Sequence, residues 1–188
     1  MQAPRSRDPS SHDAPQDAVR AAFRDLHARR LHGFALLLTV GDRPAAARLA
    51  SDALLAAGER IGELRHPERA AAWLRARVLR TARAVGRTAP RRSDRLDALD
   101  RLGVGPATFA GLEALSQRER AALIATSIER LDRRDAATIV DSDGQGFDRL
   151  VVRARRRYAA AYGAAAPEAA VHGPLAERVR AMAERALA

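Results

Sequence analysis

Apolar residues recur at helical spacing along most of this chain, and no segment alternates with the period of two that a half-buried strand needs. From residue 17 to about residue 40, Val19, Phe23, Leu26, Phe34, Leu37 and Leu38 share a broad apolar face. Gly41-Asp42 ends that helix, and Pro44 suits the first turn of the next. The second helix is predicted to run to about residue 64, with Ala46, Leu49, Ala50, Ala53, Leu54, Ala57 and Ile61 inward. Pro67 opens a third, to about residue 87, whose buried stripe is Leu74, Val78, Thr81, Ala82 and Val85. Residues 88–112 break the pattern with Pro90, Gly103, Gly105, Pro106 and Gly111, and read as a linker around a short apolar piece.

Beyond it, Ser116 followed by Glu119 is a capping box that starts a new helix. Asp132 is the expected N-cap of a short helix over 133–140. Asp141-Ser142-Asp143-Gly144 is a turn, and a last long helix reaches about residue 162. There Phe147, Val151, Ala154 and Tyr158 are spaced 4, 3 and 4, a core stripe. Short helix, tight turn and arginine-studded helix are the outline of a helix-turn-helix. A final amphipathic piece over 175–187 aligns Leu175, Val179, Met182 and Ala186.

The expected architecture is all-α. A leader over 1–16, rich in Pro, Ser, Asp and Arg, is expected to be disordered. Two small helical domains over 17–87 and 113–162 flank the linker 88–112, and an extension over 163–188 carries the amphipathic helix. Composition agrees: 47% of the 188 residues are hydrophobic, much of that alanine, and only 4% are aromatic, a core that suits small helical units.

Charge changes the picture. The net formal charge is +10, and every basic residue is Arg. Between Arg65 and Arg95 stand ten Arg against Glu68 and Asp94, a local net of +8. Such a balance suits nucleic acid, or less often an acidic protein or membrane surface. The absence of Cys excludes disulfides, thiolate metal sites and a cysteine nucleophile. The apolar run 34–40 is too short to span a bilayer, and no apolar leader starts the chain, so a cytoplasmic protein without membrane association is expected. His27 and His32 are five apart, off the spacing that stacks two ligands on a helix face. Acids are scattered, and there is no strand to carry a phosphate loop. Neither catalysis, nor a metal, nor a cofactor is expected.

Three faces remain as candidates. On the third helix, Arg69, Arg80, Arg83 and Arg87 cluster on one face, and Trp73, the only Trp, sits at its edge. Guanidinium groups for phosphate and an indole for a base would fit single-stranded nucleic acid, or Trp73 simply covers the core edge above a solvated basic face. On the second helix, Leu55 stands among Arg48, Ser51, Asp52 and Glu59, which suits a protein contact but is also ordinary for one exposed Leu. On the last helix, Gln145, Arg149, Val152, Arg153 and Arg156 face away from the core stripe, where Arg and Gln can reach base edges or the face is merely solvated.

Taken in order, these motifs resemble a bacterial extracytoplasmic-function (ECF) sigma factor over about residues 17–160. The Gly41-Asp42 break followed by Ala46, Leu49, Asp52, Ala53 and Leu55 is similar to the family's polymerase-binding helix. Ala72-Trp73-Leu74 resembles the start of the helix that holds the melted −10 element. Leu115-Ser116-Gln117-Arg118-Glu119-Arg120 resembles the opening of the −35-binding domain, which Leu131, Ala137, Ile139 and Arg153-Ala154-Arg155 continue.

The resemblance implies a sigma region 2-like bundle and a region 4-like helix-turn-helix. Arg48, Leu49, Asp52 and Leu55 would bind core RNA polymerase; Arg69, Trp73, Arg77, Arg80 and Arg83 would hold −10 DNA; and Gln145, Arg149, Arg153 and Arg156 would meet the −35 duplex of promoter DNA. Ala47 and Arg48 stand where the family usually has acids, Gly58 where an aromatic is common, Arg75 where Tyr is frequent, and Asp141 where the turn has Gly. A degenerate sigma-like regulator that binds polymerase or an anti-sigma factor without reading a promoter is therefore the alternative. An unrelated helix-turn-helix regulator that dimerises through 175–187 is the other.

Overall fold

A computed structural model describes residues 14–64, 66–84 and 90–166, and among them there are helices and no strand. In order these are α1 (Ala14–Leu38), α2 (Arg43–Gly58), α3 (Pro67–Ala84), α4 (Arg92–Asp100), α5 (Pro106–Glu113), α6 (Gln117–Leu123), a π-helical turn (Ile124–Ile128), α7 (Arg133–Ile139) and α8 (Gly144–Ala165). The amphipathic piece at 175–187, residues 1–13 of the leader and Val85 to Arg87 lie outside the described residues, while α1 already begins at Ala14, within the segment expected to be disordered.

Helices α1 and α2 form an antiparallel hairpin through a four-residue turn. Val40 and Gly41 both take left-handed backbone there, φ 53° and 84°. For a β-branched residue that conformation is costly, and it persists only where the surroundings over-determine it. Val40 is buried, and the Thr39 hydroxyl donates to the Ala35 carbonyl at 2.8 Å. A Cβ on Gly41 would lie 2.2 Å from the Arg95 carbonyl oxygen, so this turn needs glycine for both conformation and space. Asp42 then caps α2 by accepting from the Ala45 amide at 3.0 Å. The second helix stops at Gly58, short of the expected residue 64, and a turn follows.

The segment expected as a linker is folded. Over its described residues, 90–112, it supplies α4 and most of α5, and it buries Leu99, Val104, Phe109 and Leu112. Arg92 and Arg95 both place guanidinium groups against the Phe109 ring, at 4.8 and 5.5 Å from its centroid, and both pair with Glu113. Gly111 lets α5 lie directly on α8: a Cβ there would stand 2.6 Å from Tyr158 Cε2. Tyr158 itself is 1% exposed, and burial pushes its phenol up to about 12.

Instead of two separate cores, one cluster runs from Leu31 in α1 to Tyr158 in α8. α3 packs on α7, and α1 packs on α6. Two arginines tie these halves together. Arg75 in α3 grips Glu129, just beyond the π turn, through Nε and, at 2.5 Å, through Nη2. The side chains are only 4% and 8% exposed. Arg120 in α6 donates to the Leu38 carbonyl at the C-terminus of α1 and to the Leu115 carbonyl, placing a cation at the negative end of a helix.

The π turn brings Glu129 to its partner. Its extra residue per turn closes the Glu129 amide onto the Ile124 carbonyl, and Arg130, at φ 52°, ends the helix. No helix among the described residues is long and apolar enough to cross a membrane.

Candidate nucleic-acid interface

The segment from α6 to α8, where a helix-turn-helix is expected, is built by local capping. The Ser116 side chain accepts from the Glu119 amide while the Glu119 carboxylate accepts from the Ser116 amide, the expected capping box. Asp132 caps α7 by accepting from the Asp135 amide at 2.9 Å, as expected. Asp141 takes the left-handed conformation that the turn requires, φ 50°, so an acid stands in for glycine without breaking the geometry. Arg118 donates to the carbonyls of Val140 and Asp141, fixing the turn on α6.

The acids around this turn are mostly spent. Asp143 is the N-cap of α8 and accepts from the Gly146 amide at 2.6 Å. Asp148 forms a bidentate pair with Arg133 of α7, and that pairing holds its carboxyl below the usual value. Gly144 and Gly146 sit in the first turn of α8. A Cβ on the one would meet the Arg133 guanidinium at 2.9 Å, and on the other the Ser142 hydroxyl at 2.8 Å. The two glycines are room for the cap and the Arg133 bridge.

Along α8, the predicted Gln145, Arg149, Arg153 and Arg156 are all exposed, and Val152 stands among them at 50% exposure. Asp148, Arg149, Val152, Arg153, Arg156 and Arg157 line one shallow open depression. This is a helix surface with spaced cations and a central apolar residue, able to meet phosphates and base edges together.

Two of its cations are anchored from below. Glu119, with a side chain 3% exposed, accepts from Arg153 Nε at 3.0 Å and Arg157 Nη1 at 2.9 Å. Burial pushes the Glu119 carboxyl up, but the hydrogen bonds from Ser116 and Arg153, with the charge of Arg157, outweigh it and leave it below the ordinary value. This anchor was not among the predicted site residues; the capping box marked Glu119, but nothing local marked its second role.

The third helix is different. Arg69, Arg77, Arg80 and Arg83 are exposed, as predicted. Trp73 is partly buried against the core, with the Arg60 guanidinium 6.0 Å from its ring centroid. Ala72 and Ala76, on the same side of the helix as Arg69 and Arg80, are buried, and α7 packs across α3. Arg75 is an interior residue committed to Glu129. On α2, Arg48, Asp52 and Leu55 are exposed, but Leu49 is 7% exposed and belongs to the core, since it stands about 100° round the helix from Arg48. Leu49 is thus removed from the predicted contact surface.

No protein-family model matches the chain, and neither a curated protein nor a solved structure matches it.

Proposed function

We propose that this chain is a sigma-like transcription-initiation protein that engages promoter DNA through α8 and core RNA polymerase through the outer face of α2. The observation that carries the reading is the exposed row Gln145, Arg149, Arg153 and Arg156, on a helix capped directly behind a tight left-handed turn. A helix so placed can enter a major groove with its first two turns toward the bases. Arg48, Asp52 and Leu55 form the polymerase-facing stripe. Chemistry belongs to the polymerase, and the chain supplies recognition only.

One observation favours the second reading, a regulator that binds polymerase or an anti-sigma factor without opening a promoter. Trp73, the aromatic on the face of α3 that would hold unpaired −10 bases, lies partly in the core. Purified chain added to core polymerase and a genomic promoter library separates the two. Promoter-dependent transcripts support the first reading. Polymerase capture with no transcript and no footprint supports the second, and absence of both DNA and polymerase binding sinks the sigma-like proposal in either form.

A further inference from the structure

The open end of the α1–α2 hairpin carries a surface that the DNA-facing helix does not use. Arg20, Phe23 and Arg24 of α1 and Ser51, Leu54, Leu55, Gly58 and Glu59 of α2 line a groove of about 430 Å³. Phe23 and Leu54 pack against the core from its apolar floor. A Cβ on Gly58 would meet nothing within 4 Å, so a hole stands open above it. Beside the hole, Leu55 projects at 65% exposure, with Val19 and Leu26 of α1 also bare at 55% and 61%. Knob and hole therefore occur side by side on one patch.

Charge divides the same patch. Arg24 edges it along α1, beside Arg20, which pairs with Asp17 at 3.1 Å; Asp52 and Glu59 edge it along α2, one turn on either side of Leu55, with Arg48 a turn before Asp52. We propose that this face binds a second copy of the chain, in a two-fold dimer. In an isologous interface each patch meets itself inverted. Leu55 of one copy then fills the Gly58 hole of the other, and the arginine edge of one copy lies along the acidic edge of its partner. The charge pattern complements itself under that operation, so a second copy is the occupant that matches both the apolar and the charged features. Because Leu55, Asp52 and Arg48 are also the stripe assigned above to polymerase, the dimer hides that stripe, and self-association competes with polymerase binding.

Sedimentation velocity on the full chain across the micromolar range tests this without DNA or polymerase, so its failure leaves the proposed function standing. A monomer–dimer equilibrium is expected. Leu55→Glu should weaken it about 30-fold or more, as for a central buried anchor, with the helical circular dichroism unchanged because Leu55 makes no core. Arg24→Glu and Glu59→Arg should each weaken the dimer, and the double variant should restore it. A monomer at every concentration overturns the proposal, as does a dimer whose affinity Leu55→Glu leaves unchanged. A monomer that dimerises through Leu55 only after removal of residues 167–188 also overturns it, by showing the groove covered within one chain.

Discussion

Replacing Arg75 by Met tests whether the two halves of this chain are held as one body by a buried ion pair. The side chains of Arg75 and Glu129 are 4% and 8% exposed, and the guanidinium meets both carboxylate oxygens. Burial pushes the Glu129 carboxyl above its ordinary 4.5, even with the charges of Arg75 and Arg30 opposing it. Removing Arg75 leaves a buried carboxylate without its main partner, a loss of about 3–5 kcal/mol. A domain of this size has about 5–15 kcal/mol in all. With a urea slope of about 2 kcal/mol/M, the unfolding midpoint at pH 7 should fall by roughly 1.5–2.5 M.

The loss should also depend on pH with a definite sign. A carboxyl whose folded value is raised destabilises the fold increasingly as pH rises from the unfolded value through the folded one. Without Arg75 the Glu129 value climbs further, so the gap between variant and parent should narrow as pH is lowered from 7 toward 5. Arg75→Met combined with Glu129→Leu should recover most of the loss, since it removes both charges together. Urea titrations of the three proteins at both pH values decide the matter. A single-variant loss under about 1 kcal/mol, or a gap that does not narrow in acid, refutes the picture of a buried pair joining α3 to the end of the π turn.

Gly41→Ala should cost several kcal/mol, roughly 2–4, because φ is 84° and the new Cβ would strike the Arg95 carbonyl oxygen; thermal unfolding reads it directly. Glu119→Gln should flatten the acid limb of the stability profile. The Glu119 carboxyl lies below its ordinary value, so its contribution is present above about 4.5 and is lost as pH falls, and the variant should lack that loss. His27 adds an earlier acid step. Burial, with the charges of Arg75 and Arg30, lowers its pKa, so the stability it contributes is present above 6.5 and declines as pH drops below it; His27→Gln should remove that step in urea titrations between pH 7 and 5. For DNA binding, Arg149→Ala and Arg156→Ala should each reduce the slope of log affinity against log salt by about 0.9, measured by fluorescence anisotropy, and an unchanged slope would remove those residues from the phosphate contacts.

Local chemistry made the helices and their caps legible. Ser116 with Glu119 and Asp132 announce helix starts by residue type and spacing, and the structure bonds them accordingly. The exposed row on α8 followed from the 4, 3, 4 spacing of its core stripe. What could not be read were the roles of residues whose partners are far away in the chain. Arg75 looks like one more cation on a basic helix, yet its partner is 54 positions on. Arg120 looks like part of a surface motif, yet it caps a carbonyl 82 positions back. Glycine and proline misled over 88–112 because they mark both free connectors and tight contacts. Gly111 is there for Tyr158, and Pro106 begins a helix. The π turn escapes a search for regular periodicity, because it breaks the period by one residue.

The shared core also governs how the chain can be cut. A connector over 88–112 would have allowed the halves to be produced as separate fragments, each refolding alone. With α3 packed on α7 and α1 on α6, a fragment ending at residue 84 would lose part of its own interior. It would also leave the Leu38 carbonyl without Arg120, and Arg75 without Glu129. Contacts that span so much sequence close late, after most of the loop entropy has been lost, and they make folding slower and more all-or-none. The protein is thus expected to melt in a single transition, and dissection at its middle should yield two aggregation-prone pieces rather than two working modules.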